Sequence, residues 1–131
     1  MSQDRNSGAE ANRFGREYGA EIIRRLGGEL VKKGANECII GEELLTLHCA
    51  RKNTKSVGVT RLCLERVKGV LGAFEQEDGS FAVLKLSPSQ FRENSRPTAS
   101  RGPSAGRVLI ARRSTFERLG QVIQQGILVG E

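Results

Sequence analysis

The spacing of apolar positions changes along this chain. Phe14, Tyr18, Ile22 and Leu26 recur every four residues, with Arg13, Arg16, Glu17, Glu21, Arg24 and Arg25 between them. That period predicts an amphipathic helix from about residue 11 to 26, stopped by Gly27-Gly28. The polar residues before it lack any period and read as a disordered arm over 1–10. Beyond the helix the period falls to two. In "ELLTLHCA" at 43–50, Leu45, Leu47 and Cys49 fall on one face of a strand, and Leu44, Thr46, His48 and Ala50 on the other. "CII" at 38–40 pairs with this strand through Gly41-Glu42, which reads as a two-residue turn of the II′ kind.

"RKNTKSVG" at 51–58 is a loop by composition. In "VTRLCLERVKGVLGAF" the pattern predicts a short helix through Leu62, Leu64 and Val67, then a strand over 70–74. "EQEDGS" is a hairpin turn centred on Asp78-Gly79, and "FAVLKL" is the returning strand. Ser87-Pro88 has the form of a helix N-cap followed by proline in the first turn. From 92 to 107 the chain is an Arg-rich loop. "VLIA" is one more strand, and the capping-box pattern "STFE" opens a helix over about 115–125, with Phe116, Leu119, Val122 and Ile123 on one face. These elements predict one α/β domain over 11–131, a small mixed β-sheet flanked by helices.

The net charge of +6 is unevenly spread. Residues 44–68 and 92–118 each carry a net +5, and the rest of the chain is slightly acidic. Segregated cations of this kind suit a polyanion partner, because each phosphate contact releases counterions. Within the two segments the candidate nucleic-acid-binding residues are Arg51, Lys52, Asn53, Lys55 and Arg61, then Arg96, Arg101, Arg107, Arg112 and Arg113. Cations and short hydrogen-bonding side chains hold phosphate oxygens and fix register on a duplex. The scarcity of aromatics, five Phe and one Tyr with no Trp, argues against a single-strand reader that stacks bases. Double-stranded DNA is therefore the expected partner, and a single basic face suits a homodimer on two-fold symmetric DNA.

No apolar run approaches the ~18 residues of a membrane span, and the N-terminus lacks a signal-peptide centre. The expectation is a cytoplasmic protein with no membrane partner. Cys38, Cys49 and Cys63 have no metal-ligand spacing and sit among apolar residues, so they read as core thiols.

The stretch "GREYGAEIIRRLGG…KKGANECIIGEELLTLHCARKNT…LERVKGVLGAF…DGSFAVLKLSPSQF" resembles the PD-(D/E)XK restriction-endonuclease-like superfamily in layout, over about residues 13–91. The resemblance implies a restriction-endonuclease-like fold and a Mg²⁺- or Mn²⁺-dependent site for DNA cleavage. A helix acid, a strand acid and an acid-x-Lys pair would build that site. The matching positions are Glu17 or Glu21 on the helix, Glu37 on the first strand, and Thr46-Leu47-His48 for the acid-x-Lys pair. Thr46 and His48 depart from the motif, since neither is a good Mg²⁺ anchor. The favoured function is therefore a non-cleaving duplex-DNA-binding domain. Two alternatives stand beside it. One is a metal-dependent endonuclease with Glu37, His48 and Glu21 as catalytic residues and Glu37 as metal ligand. The other is an interaction module whose Arg-rich segment docks an acidic protein.

Overall fold

The computed structural model describes residues 17–31, 36–98 and 106–129. The predicted arm over 1–10 lies outside them. The described part of the first helix, α1, covers residues 17–25. Then follow β1 (Glu29–Leu30), β2 (Glu37–Ile40), β3 (Glu43–Ala50), β4 (Ser56–Thr60), α2 (Arg61–Arg66), β5 (Gly69–Glu75) and β6 (Phe81–Leu86). The chain continues with α3 (Pro88–Glu93), β7 (Ser95–Pro97), β8 (Val108–Arg112), α4 (Arg113–Leu119) and β9 (Gln121–Ile127).

The fold is mixed α/β, as the hydrophobic pattern predicts, with a second sheet that the pattern does not reveal. Six strands in the order β1-β2-β3-β5-β6-β9 form the large sheet, and β4-β8-β7 form the small one. All neighbours are antiparallel except β3 and β5. A parallel pair needs a crossover, and β4 with α2 provides it.

Alternation along β3 and β5 divides the apolar side chains between two cores. Leu45, Leu47, Leu71 and Ala73 meet Ile22 and Ile23 of α1 on one face of the large sheet. On the other face, Ala50, Val70 and Phe74 pack against Val57 and Val59 of β4, Leu109 and Ala111 of β8, Leu64 of α2, Phe91 of α3 and Phe116 of α4. The large sheet thus lies between α1 and a layer made of the small sheet and three short helices. Gly72 is bare because the Phe74 ring lies over it. A Cβ there would come within 2.5 Å of that ring and 3.2 Å of Phe116.

Several local readings hold. The β5–β6 turn is closed by Asp78 Oδ1, which accepts from Ser80 N–H at 2.9 Å and Ser80 Oγ at 2.7 Å. Ser87 and Gln90 form a reciprocal capping box at α3. Others are corrected. The stretch 51–58 is not all loop, since β4 begins at Ser56 and pairs with β8. The 92–107 loop contains β7, which pairs with β8; residues 99–105 lie outside the described residues.

The predicted helix over 115–125 is α4 only to Leu119. Gly120 turns to an extended conformation (φ −74°, ψ 148°), and residues 121–127 become an edge strand on β6. Phe116 and Leu119 pack in the core while Val122 is 53% exposed, so tertiary packing stops where the apparent stripe continues. The "STFE" capping box does not form either, because the N-cap is Arg112, without a side-chain bond.

The β2–β3 turn is also of a different type. Gly41 has φ 57° and Glu42 has φ 73°, and positive φ at both central residues marks type I′. A left-handed conformation costs a residue with a Cβ about 1–2 kcal/mol, less for Asn, which tolerates it. Glu42→Asn is therefore expected to stabilise the fold by about 0.5–1 kcal/mol, read as a higher urea midpoint at unchanged slope. An unchanged or lower midpoint would contradict this account of the turn.

Candidate nucleic-acid interface

The small sheet presents one face to the core and the other to solvent. Val57, Val59, Leu109 and Ala111 point inward, so alternation sends Ser56, Gly58 and Thr60 of β4 and Val108, Ile110 and Arg112 of β8 outward. Ser56 lies opposite Arg112, Gly58 opposite Ile110, and Arg96 of β7 opposite Ile110 from the other side. At the Arg112 end of this face is a groove of about 370 Å³, lined by Lys55, Ser56, Asn94, Ser95, Arg96, Ile110, Arg112 and Thr115.

Lys55, Arg96 and Arg112 thus converge from three separate segments, and among the described residues the lining holds no carboxylate. None of these three side chains has a hydrogen bond or ion pair among the described residues. Exposed Ser56 supplies a hydroxyl of the kind that completes a phosphate contact, whereas the Asn94 amide and the Ser95 hydroxyl already donate to the Gln90 and Arg92 carbonyls, at 2.8 and 3.2 Å.

The other predicted cations are placed differently. Arg51, Lys52 and Asn53 are exposed in the β3–β4 loop, and Arg107 is exposed just before β8. Arg61 is exposed with its Nε donating to the Gly106 carbonyl at 2.6 Å. Arg101 lies outside the described residues. Arg113 is a structural residue and not an exposed contact. Its guanidinium sits 5.1 Å from the Phe74 ring centroid, donates to the Glu75 carbonyl at 3.1 Å and the Lys52 carbonyl at 3.4 Å, and pairs with Glu117 at 3.5 Å. Arg113 therefore fastens the base of the loop that carries Lys55. The Arg113 backbone N–H, donating to the Lys55 carbonyl at 2.8 Å, adds to this.

A second cavity, of about 280 Å³, opens between β4 and the β2–β3 hairpin. Asn36, Glu37, Thr46, His48, Cys63 and Arg66 give it a polar wall. The sequence-predicted pair Glu37 and His48 therefore share one cleft. Glu37 Oε1 accepts from Arg66 Nε at 3.0 Å and Nη2 at 2.6 Å, and Cys63 Sγ lies 3.9 Å away. His48 Nε2 is 3.1 Å from the Thr46 hydroxyl, which in turn is 3.4 Å from the Asn36 carbonyl. Burial pushes the imidazole down to about 4, so it is neutral at pH 7. Burial, together with the nearby Glu37 carboxylate, also raises the Cys63 thiol against the pull of Thr46 and Arg66.

The predicted metal set does not assemble. Glu21 is on α1, across the large sheet from Thr46 and His48, where Arg24 and Arg25 hold its carboxyl below the usual range. Glu43 is paired with Lys85 at 3.2 Å. Among the described residues no three His, Cys, Asp or Glu side chains approach closely enough to bind a cation. With one carboxylate, itself clamped by a guanidinium, the cleft does not fit Mg²⁺ or Mn²⁺, which need several hard oxygen ligands.

The chain matches no protein-family model, no curated protein and no solved structure. The groove and the cleft must therefore be interpreted from their own chemistry. Sequence reasoning found the three cations of the groove but missed Asn94, Ser95 and Thr115, which carry no charge signal. It also missed Arg66 as the partner of Glu37, a contact 29 residues apart in the chain. The three cysteines are free, as expected of core thiols, with burial lifting Cys38 to about 11 and Cys49 to about 12. No helix among the described residues is long and apolar enough to cross a membrane.

Proposed function

We propose that this chain is an intracellular duplex-DNA-binding domain that grips phosphates in the Lys55–Arg96–Arg112 groove and does not cut them. The convergence of three cations that have no partner, in a groove without acids, among the described residues carries the reading. A solvated surface would intersperse both signs. Neutralising three phosphates releases counterions and gives affinity without base specificity. Glu37, locked to Arg66, and Glu21, on the far side of the sheet, support binding over cleavage.

Fluorescence anisotropy of a labelled short DNA duplex over a salt series tests it. Three or more phosphate contacts give a log K against log salt slope of about −2.7 or steeper. Absence of binding at low salt, or affinity indifferent to salt, would overturn the proposal. Plasmid incubated with Mg²⁺ or Mn²⁺ is expected to remain intact; cutting that Glu37→Ala abolishes would make the chain a nuclease.

A further inference from the structure

The groove and the cleft lie on one ladder. Ser56 and Arg112, opposite each other, border the groove, while Gly58, Thr60 and Val108, farther along β4 and β8, border the cleft. At about 3.3 Å per residue, the step from Ser56 to Gly58 or Thr60 is roughly 7–13 Å. That is the axial rise of about two to four base pairs of duplex DNA at about 3.4 Å each. The groove and the cleft therefore adjoin along β4 and β8.

The two sites differ in charge. The groove carries three cations with no partner among the described residues, whereas in the cleft Glu37 and Arg66 cancel and His48 is neutral. A phosphate suits the first, and an uncharged hydrogen-bonding group suits the second. Glu37 Oε2 and His48 Nδ1 carry no hydrogen bond among the described residues, although the atoms beside them, Oε1 and Nε2, do. Val108, whose side chain lies against the backbone of Gly58, supplies apolar surface for a flat face. At about 280 Å³ the cavity falls just below the usual range for drug-sized ligands, roughly 300–1,000 Å³, and has room for one heterocycle.

We propose that this cleft receives a single unpaired nucleobase of DNA whose backbone lies in the adjoining groove. This rests on the DNA-binding reading and adds a substrate class to it: duplexes with an extrahelical nucleotide. Extruding a paired base costs a few kcal/mol, and a base already unpaired largely avoids that cost. The edge of the base would meet Glu37 and His48, and its face would lie on Val108.

The test compares anisotropy titrations of a fully paired duplex and the same duplex with one bulged nucleotide. The expected result is about tenfold tighter binding of the bulged duplex, worth ~1.4 kcal/mol. His48→Ala and, independently, Val108→Phe, which fills the cleft, should abolish that preference while leaving affinity for the paired duplex unchanged. Thermal melts establish that each variant is folded, and the two act through different chemistry, so one unfolded variant does not remove the test. Equal affinity of the wild-type chain for both duplexes overturns the base-binding inference and leaves the groove intact. A preference that survives in a folded variant also overturns it. Failure to bind either duplex overturns both readings.

Discussion

Replacing Lys55, Arg96 and Arg112 together by alanine is expected to weaken duplex-DNA binding about 10²-fold at moderate salt and flatten the salt slope by about 2.7. Charge-assisted hydrogen bonds contribute roughly 1.5–3 kcal/mol when well shielded, and about 1 kcal/mol each is reasonable for an open groove. Three such losses come to about 3 kcal/mol, or about 10²-fold. The fold should tolerate the change, since none of the three side chains has a partner among the described residues to leave unsatisfied. The matching control is Arg24→Ala with Arg25→Ala. These cations sit on α1, beyond the opposite face of the large sheet, and already pair with Glu21. Their removal lowers net charge by two and should barely move either the affinity or the slope. If both variants lose affinity in proportion to charge alone, the contact is diffuse and the groove is not its seat.

The difference between those two sets of residues shows what the sequence could and could not display. Charge is legible in one dimension, so the segments around Lys55 and Arg112 stood out. Which cations are free is not legible. Arg113 is adjacent to Arg112 in sequence, yet one turns outward on β8 and the other is folded over Phe74. The period-two face of β3 was legible because each residue reports its side directly, and Thr46 and His48 do share a face. Glu21 could not be excluded in the same way. Its helix packs on the Leu45–Leu47 face, and only tertiary structure assigns that face to α1. The α4–β9 boundary failed for a related reason. A spacing of three and four residues looks helical whether or not anything covers its last members, and Gly120 was the one local sign of the break. A Cβ at that position would come within 2.4 Å of the Phe116 carbonyl oxygen.

His48 should also make the fold acid-sensitive in a defined window. Its imidazole titrates near 6.5 in an unfolded chain and near 4 in the folded one, because burial disfavours the cation. Between those values the unfolded chain takes up a proton that the folded chain refuses. Stability is therefore fully present above about pH 6.5 and falls as the pH is lowered, by up to about 1.4 kcal/mol per unit. The fall ends near pH 4, where the folded state also protonates, after a total loss of about 3 kcal/mol. That is a large part of a typical folding free energy of about 5–15 kcal/mol. The exposed carboxylates Glu21 and Asp78 are lowered in the same direction as His48 but in a more acidic window: their contribution is present above the ordinary carboxylate range and is lost only as pH falls through it. The interval from pH 6.5 to 5 is thus left mainly to His48. Urea titrations at pH 7, 6 and 5 should show the loss, and His48→Gln, which keeps a hydrogen-bonding group beside Thr46, should remove the slope. His48 is the only histidine in the chain, so its ring resonances give the folded-state titration without ambiguity. A midpoint at or above 6.5 would mean that the cleft carries a charge at neutral pH, and a charged imidazole would draw phosphate into a site assigned here to a neutral base.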